Sequence, residues 1–125
     1  MPIQVRGVRG ATTLDRDDAD QLAIRVPELV QAMLDANHLE IAAVVSIWLT
    51  ATPDITCGFP ATAARALDLA DTPLLGAQEL DLSGALPLCV RVLVHAHTDL
   101  PKSEIRHIYL HEAATLRPDL AGEPG

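Results

Sequence analysis

A guanidinium set in an apolar strand needs an anion. Arg91 stands in that position, within the run Leu88-Cys89-Val90-Arg91-Val92-Leu93-Val94, which predicts a buried strand. Arginine cannot shed its charge by losing a proton, and an unpaired buried charge is costly, so a carboxylate of the protein or of a ligand must meet it. Flanking Val90 and Val92 leave it no obvious route to water. Of nine basic residues eight are arginine and only Lys102 is lysine, a bias toward forked recognition of carboxylates. Arg6, Arg9, Arg65, Arg91, Arg106 and Arg117 lie on or beside apolar segments, where several forks could hold one small polyanion. Taken singly, Arg6, Arg106 and the others fit better as surface arginines paired with the 17 acidic residues, and Arg91 alone fits better as a ligand-binding group. Glu79 could bridge to Arg91 structurally or face a ligand, and spacing alone leaves both open.

The histidines suggest a second chemistry. His95 and His97 share one strand face by two-residue periodicity, and His107 and His111 do the same on the expected hairpin partner. Four imidazoles on a hairpin could bind a transition metal, but the spacing is unspecific and no carboxylate is fixed among them. Solvent-facing or hydrogen-bonded histidines, with no metal, are therefore expected. Cys57 and Cys89 lie far apart with no CxxC pairing, so reduced thiols are expected rather than a disulfide or a zinc knuckle. No GxSxG, HExxH, P-loop or GxGxxG occurs, which leaves nucleophilic, zinc-hydrolytic and nucleotide-binding readings without support.

The elements that must position these groups read as follows. Residues 2–9 predict a strand, after which Gly10-Ala11-Thr12-Thr13 turns the chain. Asp15 or Asp17 can cap a helix running to about Asn37, with Leu22, Val26, Leu29 and Met33 as its inward stripe. Pro27 should kink that helix or make it start twice. Residues 44–50 predict a second strand, ended by Thr52-Pro53-Asp54. Pro60 suits the first position of a short helix, and residues 72–75 a brief third strand. A loop over 76–84 carries Glu79 and Asp81 into the strand over 88–97, and residues 105–111 should pair back on it as a hairpin. One domain over residues 1–115 is expected, with a mobile tail over 116–125.

With 125 residues the chain can bury one modest core. A 49% hydrophobic content and a mean hydropathy of +0.21 are high for a small monomer, so some strand surface should face other subunits of a homo-oligomer. A formal charge of -8 with no basic stripe excludes nucleic acid as the expected partner. The start lacks an apolar signal core and no run approaches the ~20 apolar residues of a spanning helix. A cytoplasmic protein without a membrane partner is the expectation.

Taken together, these residues resemble the trimeric α/β-type monofunctional chorismate mutases, the AroH-like family. The stretches that carry the likeness are Arg6-Gly7-Val8-Arg9-Gly10-Ala11-Thr12-Thr13, Ala51-Thr52-Pro53-Asp54, Phe59-Pro60-Ala61, Gln78-Glu79-Leu80-Asp81, Cys89-Val90-Arg91-Val92, Ile105-Arg106-His107-Ile108-Tyr109-Leu110 and Leu116-Arg117-Pro118-Asp119. They follow one another over nearly the whole chain. The resemblance implies an α/β (α+β-like) fold: a mixed β-sheet with helices on one face, in a homotrimer forming a pseudo-barrel with active sites between subunits. It also implies the rearrangement of chorismate to prephenate in phenylalanine and tyrosine biosynthesis, with no cofactor. Substrate and product are dicarboxylates, which suits an acidic chain rich in arginine.

By the same resemblance Arg91 would place charge at the breaking ether bond, while Arg9 and Tyr109 anchor a carboxylate and the folded arm. Glu79 would accept from the ring hydroxyl, and Phe59 with Ala61 would wall the cleft. Arg65 and Arg117 would add positive field or close over the ligand, and Leu75, Gly76, Ala77, Gln78 and Leu116 complete the substrate-binding set. Two positions depart from the family pattern: Leu75-Gly76-Ala77 replaces the usual Thr-Cys-Met, which removes a thiol, and Thr62 replaces a Lys. Other readings are a small trimeric enamine or imine deaminase-like enzyme and a non-catalytic metal- or ligand-binding module on the histidine hairpin.

Overall fold

The computed structural model describes residues 2–116 of the chain, and Arg117 with the rest of the expected tail lies outside them. Five strands form one mixed sheet: β1 (Gln4–Thr13), β2 (Val44–Ala51), β3 (Leu74–Gln78), β4 (Cys89–Thr98) and β5 (Ile108–Tyr109), in the order β3-β2-β4-β1-β5. β4 runs antiparallel to both β1 and β2, while the edge strands β3 and β5 run parallel to their neighbours. Helix α1 (Ala19–Ala36) and the short α2 (Pro60–Ala64) pack on one face only.

Alternation decides which residues meet the helices. Val8, Ile47, Leu49, Val90, Val92 and Val94 point toward α1 and are buried with its stripe of Leu22, Val26, Leu29 and Met33. Helix and sheet approach closely at Gly10, where an added Cβ would run into the Met33 thioether and force that side chain to shift. Asp18, not Asp15 or Asp17, caps α1, its carboxylate accepting from the Gln21 amide at 3.0 Å. The helix runs unbroken through Pro27, because its buried stripe outweighs one missing hydrogen bond.

Two expected connections are corrected. β1 does not end at Arg9: residues 10–13 continue it, paired with Val92, Arg91, Val90 and Cys89. Nor do residues 105–111 form a hairpin with β4. After a 3₁₀ turn at Lys102–Glu104 the chain crosses to the other edge, and β5 pairs parallel with β1 through Gly10↔Ile108 and Ala11↔Tyr109. The histidines are therefore separated: His95 bonds Ser46, His107 accepts the Arg9 amide at Nδ1, and His111 meets Glu28. Among the described residues no three His, Cys, Asp or Glu side chains cluster as a metal site. No described helix is long and apolar enough to cross a membrane.

Candidate active site

The sheet face away from the helices carries the chemistry. Register sets Ala77, Thr50, Arg91, Ala11 and Tyr109 in one row across all five strands, with Leu75, Trp48, Leu93 and Arg9 in the row beside it. Arg9, Ala11, Trp48, Thr50, Arg91, Leu93, Tyr109 and Leu116 line a cleft of about 370 Å³. A cleft of this size, mostly apolar in its lining and holding two arginines, suits a small anion.

Arg91 is not buried as the flanking valines suggest. Val90 and Val92 face the helices, but strand alternation turns Arg91 to the open side, where its side chain is 45% exposed. Its anion within the chain is Glu79. Arg91 Nε donates to Glu79 Oε1 at 3.1 Å, and Glu79 Oε2 accepts from the Thr50 hydroxyl at 2.5 Å. The two terminal amino groups of Arg91 have no hydrogen-bond partner among the described residues. Arg9, with its main-chain amide bonded to His107, extends an exposed side chain into the same cleft. Thr50, Trp48 and Leu93 are site residues that the motif reading missed. Their signal was available in the register, since Thr50 lies directly opposite Arg91.

The backbone that carries Arg91 is held firmly. Leu88 adopts φ +51°, an uncommon conformation for a leucine, just before β4 begins. Asp54 accepts from its amide at 2.9 Å, and the Thr52 hydroxyl donates to Asp54 while accepting from the Cys89 amide at 2.9 Å. The Thr-Pro-Asp turn after β2 thus clamps the first residues of β4, two positions ahead of Arg91. On the other side Ala11, Cys89 and Ala113 form a small buried cluster against Tyr109 and Leu116, two residues that also line the cleft. Burial pushes the Cys89 thiol up to about 11, so it is a packing group and not a nucleophile.

The remaining expected residues fall elsewhere. Phe59 precedes α2 and is 77% exposed, Ala61 lies in α2 and Arg65 begins the 3₁₀ turn after it; none of the three lines the cleft of their own chain. Asp17 secures the loop before them, accepting from the Thr56 hydroxyl and from the Thr56 and Cys57 amides; the Thr56 hydroxyl first, then the Cys57 side chain and the amides, lower its carboxyl to about 2. Leu75, Gly76, Ala77 and Gln78 form the edge strand β3, which extends further along the chain than the residues 72–75 expected. Leu75 and Ala77 share the open face with Trp48 and Thr50, and Gly76 has room for a side chain, its nearest neighbour to an added Cβ being the Leu49 carbonyl at 3.6 Å. Of the other arginines, Arg6 Nε donates to the Leu100 carbonyl, and Arg106 borders a separate polar hollow with His38 and Glu104.

Fold and site define a small α/β protein whose uncovered sheet face presents arginines to an anion. The chain belongs to the chorismate mutase type I family, whose model matches residues 5–120. It is 39% identical over 120 residues to the chorismate mutase AroH of Bacillus subtilis, covering 95% of this chain and 94% of that one. To the chorismate mutase AroH of Thermus thermophilus it is 44% identical over 120 residues, with 93% and 96% covered. Among solved structures, a chorismate mutase from Clostridium thermocellum superimposes with a TM-score of 0.86 at 37% identity, over 88% of this chain and 98% of that one.

Proposed function

We infer that this protein is an isomerase converting chorismate to prephenate by an intramolecular Claisen rearrangement. The observation that carries the reading is Arg91. One edge of its guanidinium is tied to Glu79, and its terminal fork is left to a cleft that also holds Arg9 and Tyr109. The reaction breaks and forms bonds within one molecule, so no proton carrier, nucleophile, metal or cofactor is required. A catalyst has to fold the enolpyruvyl arm over the ring and stabilise the negative charge growing on the ether oxygen. In this reading the Arg91 fork meets that oxygen, Arg9 and Tyr109 bind a carboxylate and the arm, and Glu79 accepts from the ring hydroxyl. Leu116 walls the cleft, and Arg117, just beyond the described residues, follows it in sequence.

The working form we propose is a homotrimer in which each cleft is closed by a neighbour. Trp48 at 46% and Leu75 at 52% exposure leave apolar surface on the helix-free sheet face, which a single chain cannot cover. Phe59, Ala61, Arg65 and the edge strand residues Leu75, Gly76, Ala77 and Gln78 would then complete the cleft from across the interface. Two free thiols and an acidic surface fit a cytoplasmic enzyme acting on a small molecule. Loss of chorismate absorbance on adding the purified protein tests the activity. With no side chain shuttling protons, kcat should be nearly flat from about pH 6 to 8. No turnover, or a bell-shaped profile centred on a histidine, would contradict the reading.

A further inference from the structure

Arginine and glutamate side chains prefer to meet fork to fork, through two parallel N–H···O bonds. Arg91 and Glu79 do not. Their contact uses Nε and a single carboxylate oxygen, which leaves both terminal amino groups of Arg91 without a hydrogen-bond partner among the described residues. The second carboxylate oxygen is held by the Thr50 hydroxyl at 2.5 Å, and Thr50 stands directly opposite Arg91 in the β2–β4 register.

We propose that Thr50 is a positioning residue that keeps the Arg91 fork open for a carboxylate- or ether-bearing ligand by pinning Glu79 at its other oxygen. The terminal torsion of a glutamate is soft, so a carboxylate bonded at one oxygen swings readily. Without the Thr50 hydroxyl, Glu79 turns and engages the terminal amino groups of Arg91, competing with the ligand for the donors it needs. Thr50 therefore acts on the substrate through two other side chains. The same two bonds, one at each oxygen, fix the Glu79 carboxylate beside Arg91. This inference rests on the reading of the protein as a chorismate mutase.

Thr50→Val keeps shape and strand preference while removing the hydroxyl, and so it should fold with an unchanged melting temperature. It should lower kcat/KM for chorismate on the order of tenfold, with kcat falling and KM rising together, and Thr50→Ser should restore most of both. In the Glu79→Gln background Thr50→Val should add almost nothing, because the group it positions is already altered. A Thr50→Val enzyme with wild-type kinetics, or one whose loss multiplies fully with that of Glu79→Gln, would overturn the role of Thr50 alone. A wild-type protein that leaves chorismate untouched would instead remove the functional reading, and this inference with it.

Discussion

The two faces of the sheet are built from alternate residues of the same strands and have opposite tasks. On one, Val8, Ile47, Leu49, Val92 and Val94 are sealed beneath α1, with close packing and no polar group of their own to satisfy. On the other, Arg9, Trp48, Arg91 and Leu75 stand open; Arg91 is bonded to Glu79, which Thr50 holds in turn, and the Arg9 main-chain amide is bonded to His107. The helix-covered face carries the stability of the chain. The open face holds chemistry and, in the proposed trimer, assembly. A fold of this kind lets a site change without touching the core, since neighbours in sequence lie on opposite sides of the sheet.

Adjacent strand positions break that comparison most sharply. Leu49→Ala on β2 should cost about 2–5 kcal/mol of unfolding free energy, since Leu49 is fully buried. Arg91→Ala on the neighbouring strand should change stability by less than about 1 kcal/mol, because its ion pair is partly exposed. Denaturant titration of the two variants checks this. If both were equally destabilised, the division between faces would be wrong.

An intermediate effect is expected at the rim, where Asp17 ties the loop before Phe59 to the start of α1. Its carboxyl is lowered from 3.8 to about 2, so the bonded anion stabilises the native state fully above the unfolded value. That contribution is lost as the pH falls from near 4 toward 2. The urea midpoint of the wild-type protein should therefore drop more steeply over that window than that of Asp17→Asn. Parallel curves would show that these bonds persist in the unfolded chain or contribute nothing.

The smallest effect is expected at Thr62, an exposed residue of α2 on the helix side. A lysine there adds one cation for a dianionic substrate approaching a chain of formal charge -8. Thr62→Lys should lower KM, chiefly at low salt, and leave kcat within about twofold, since uniform binding does not alter the step from bound substrate to transition state. A change in kcat at constant KM would put Thr62 closer to the reacting bonds than the proposed trimer does.

Periodicity made the covered face legible. The stripe Leu22, Val26, Leu29 and Met33 is buried as read, and Pro60 opens α2 as its fixed φ and missing amide favour. The open face was harder to read from pattern. Gly10-Ala11-Thr12-Thr13 has the composition of a turn, yet its small side chains let Met33 approach from one side and Ala113 pack on the other. Those contacts come from residues distant in sequence. The crossing of β5 to the far edge is likewise a tertiary choice, because a short apolar segment carries no mark of which edge it will join. Arg91 looked buried because a run of valines hides the two-residue period when one face is sealed and the other is only half covered. Arg91 and its possible partner Glu79 stood out from the pattern, Tyr109 and the role of Arg9 through resemblance to a family, and the structure brings all four to one region of the open face. Thr50 stayed unnoticed since a lone threonine in a strand is ordinary, and only its register opposite Arg91 gives it meaning.

The central claim is that the Arg91 guanidinium acts by its charge at the breaking bond and not by shape. Replacing Arg91 with citrulline, which keeps size and most donors but is neutral, isolates that charge. Steady-state turnover of chorismate by this variant should show kcat reduced by about 10²-fold or more, the scale of a lost oxyanion-type donor, with a much smaller change in KM. A citrulline enzyme retaining wild-type kcat would contradict the account.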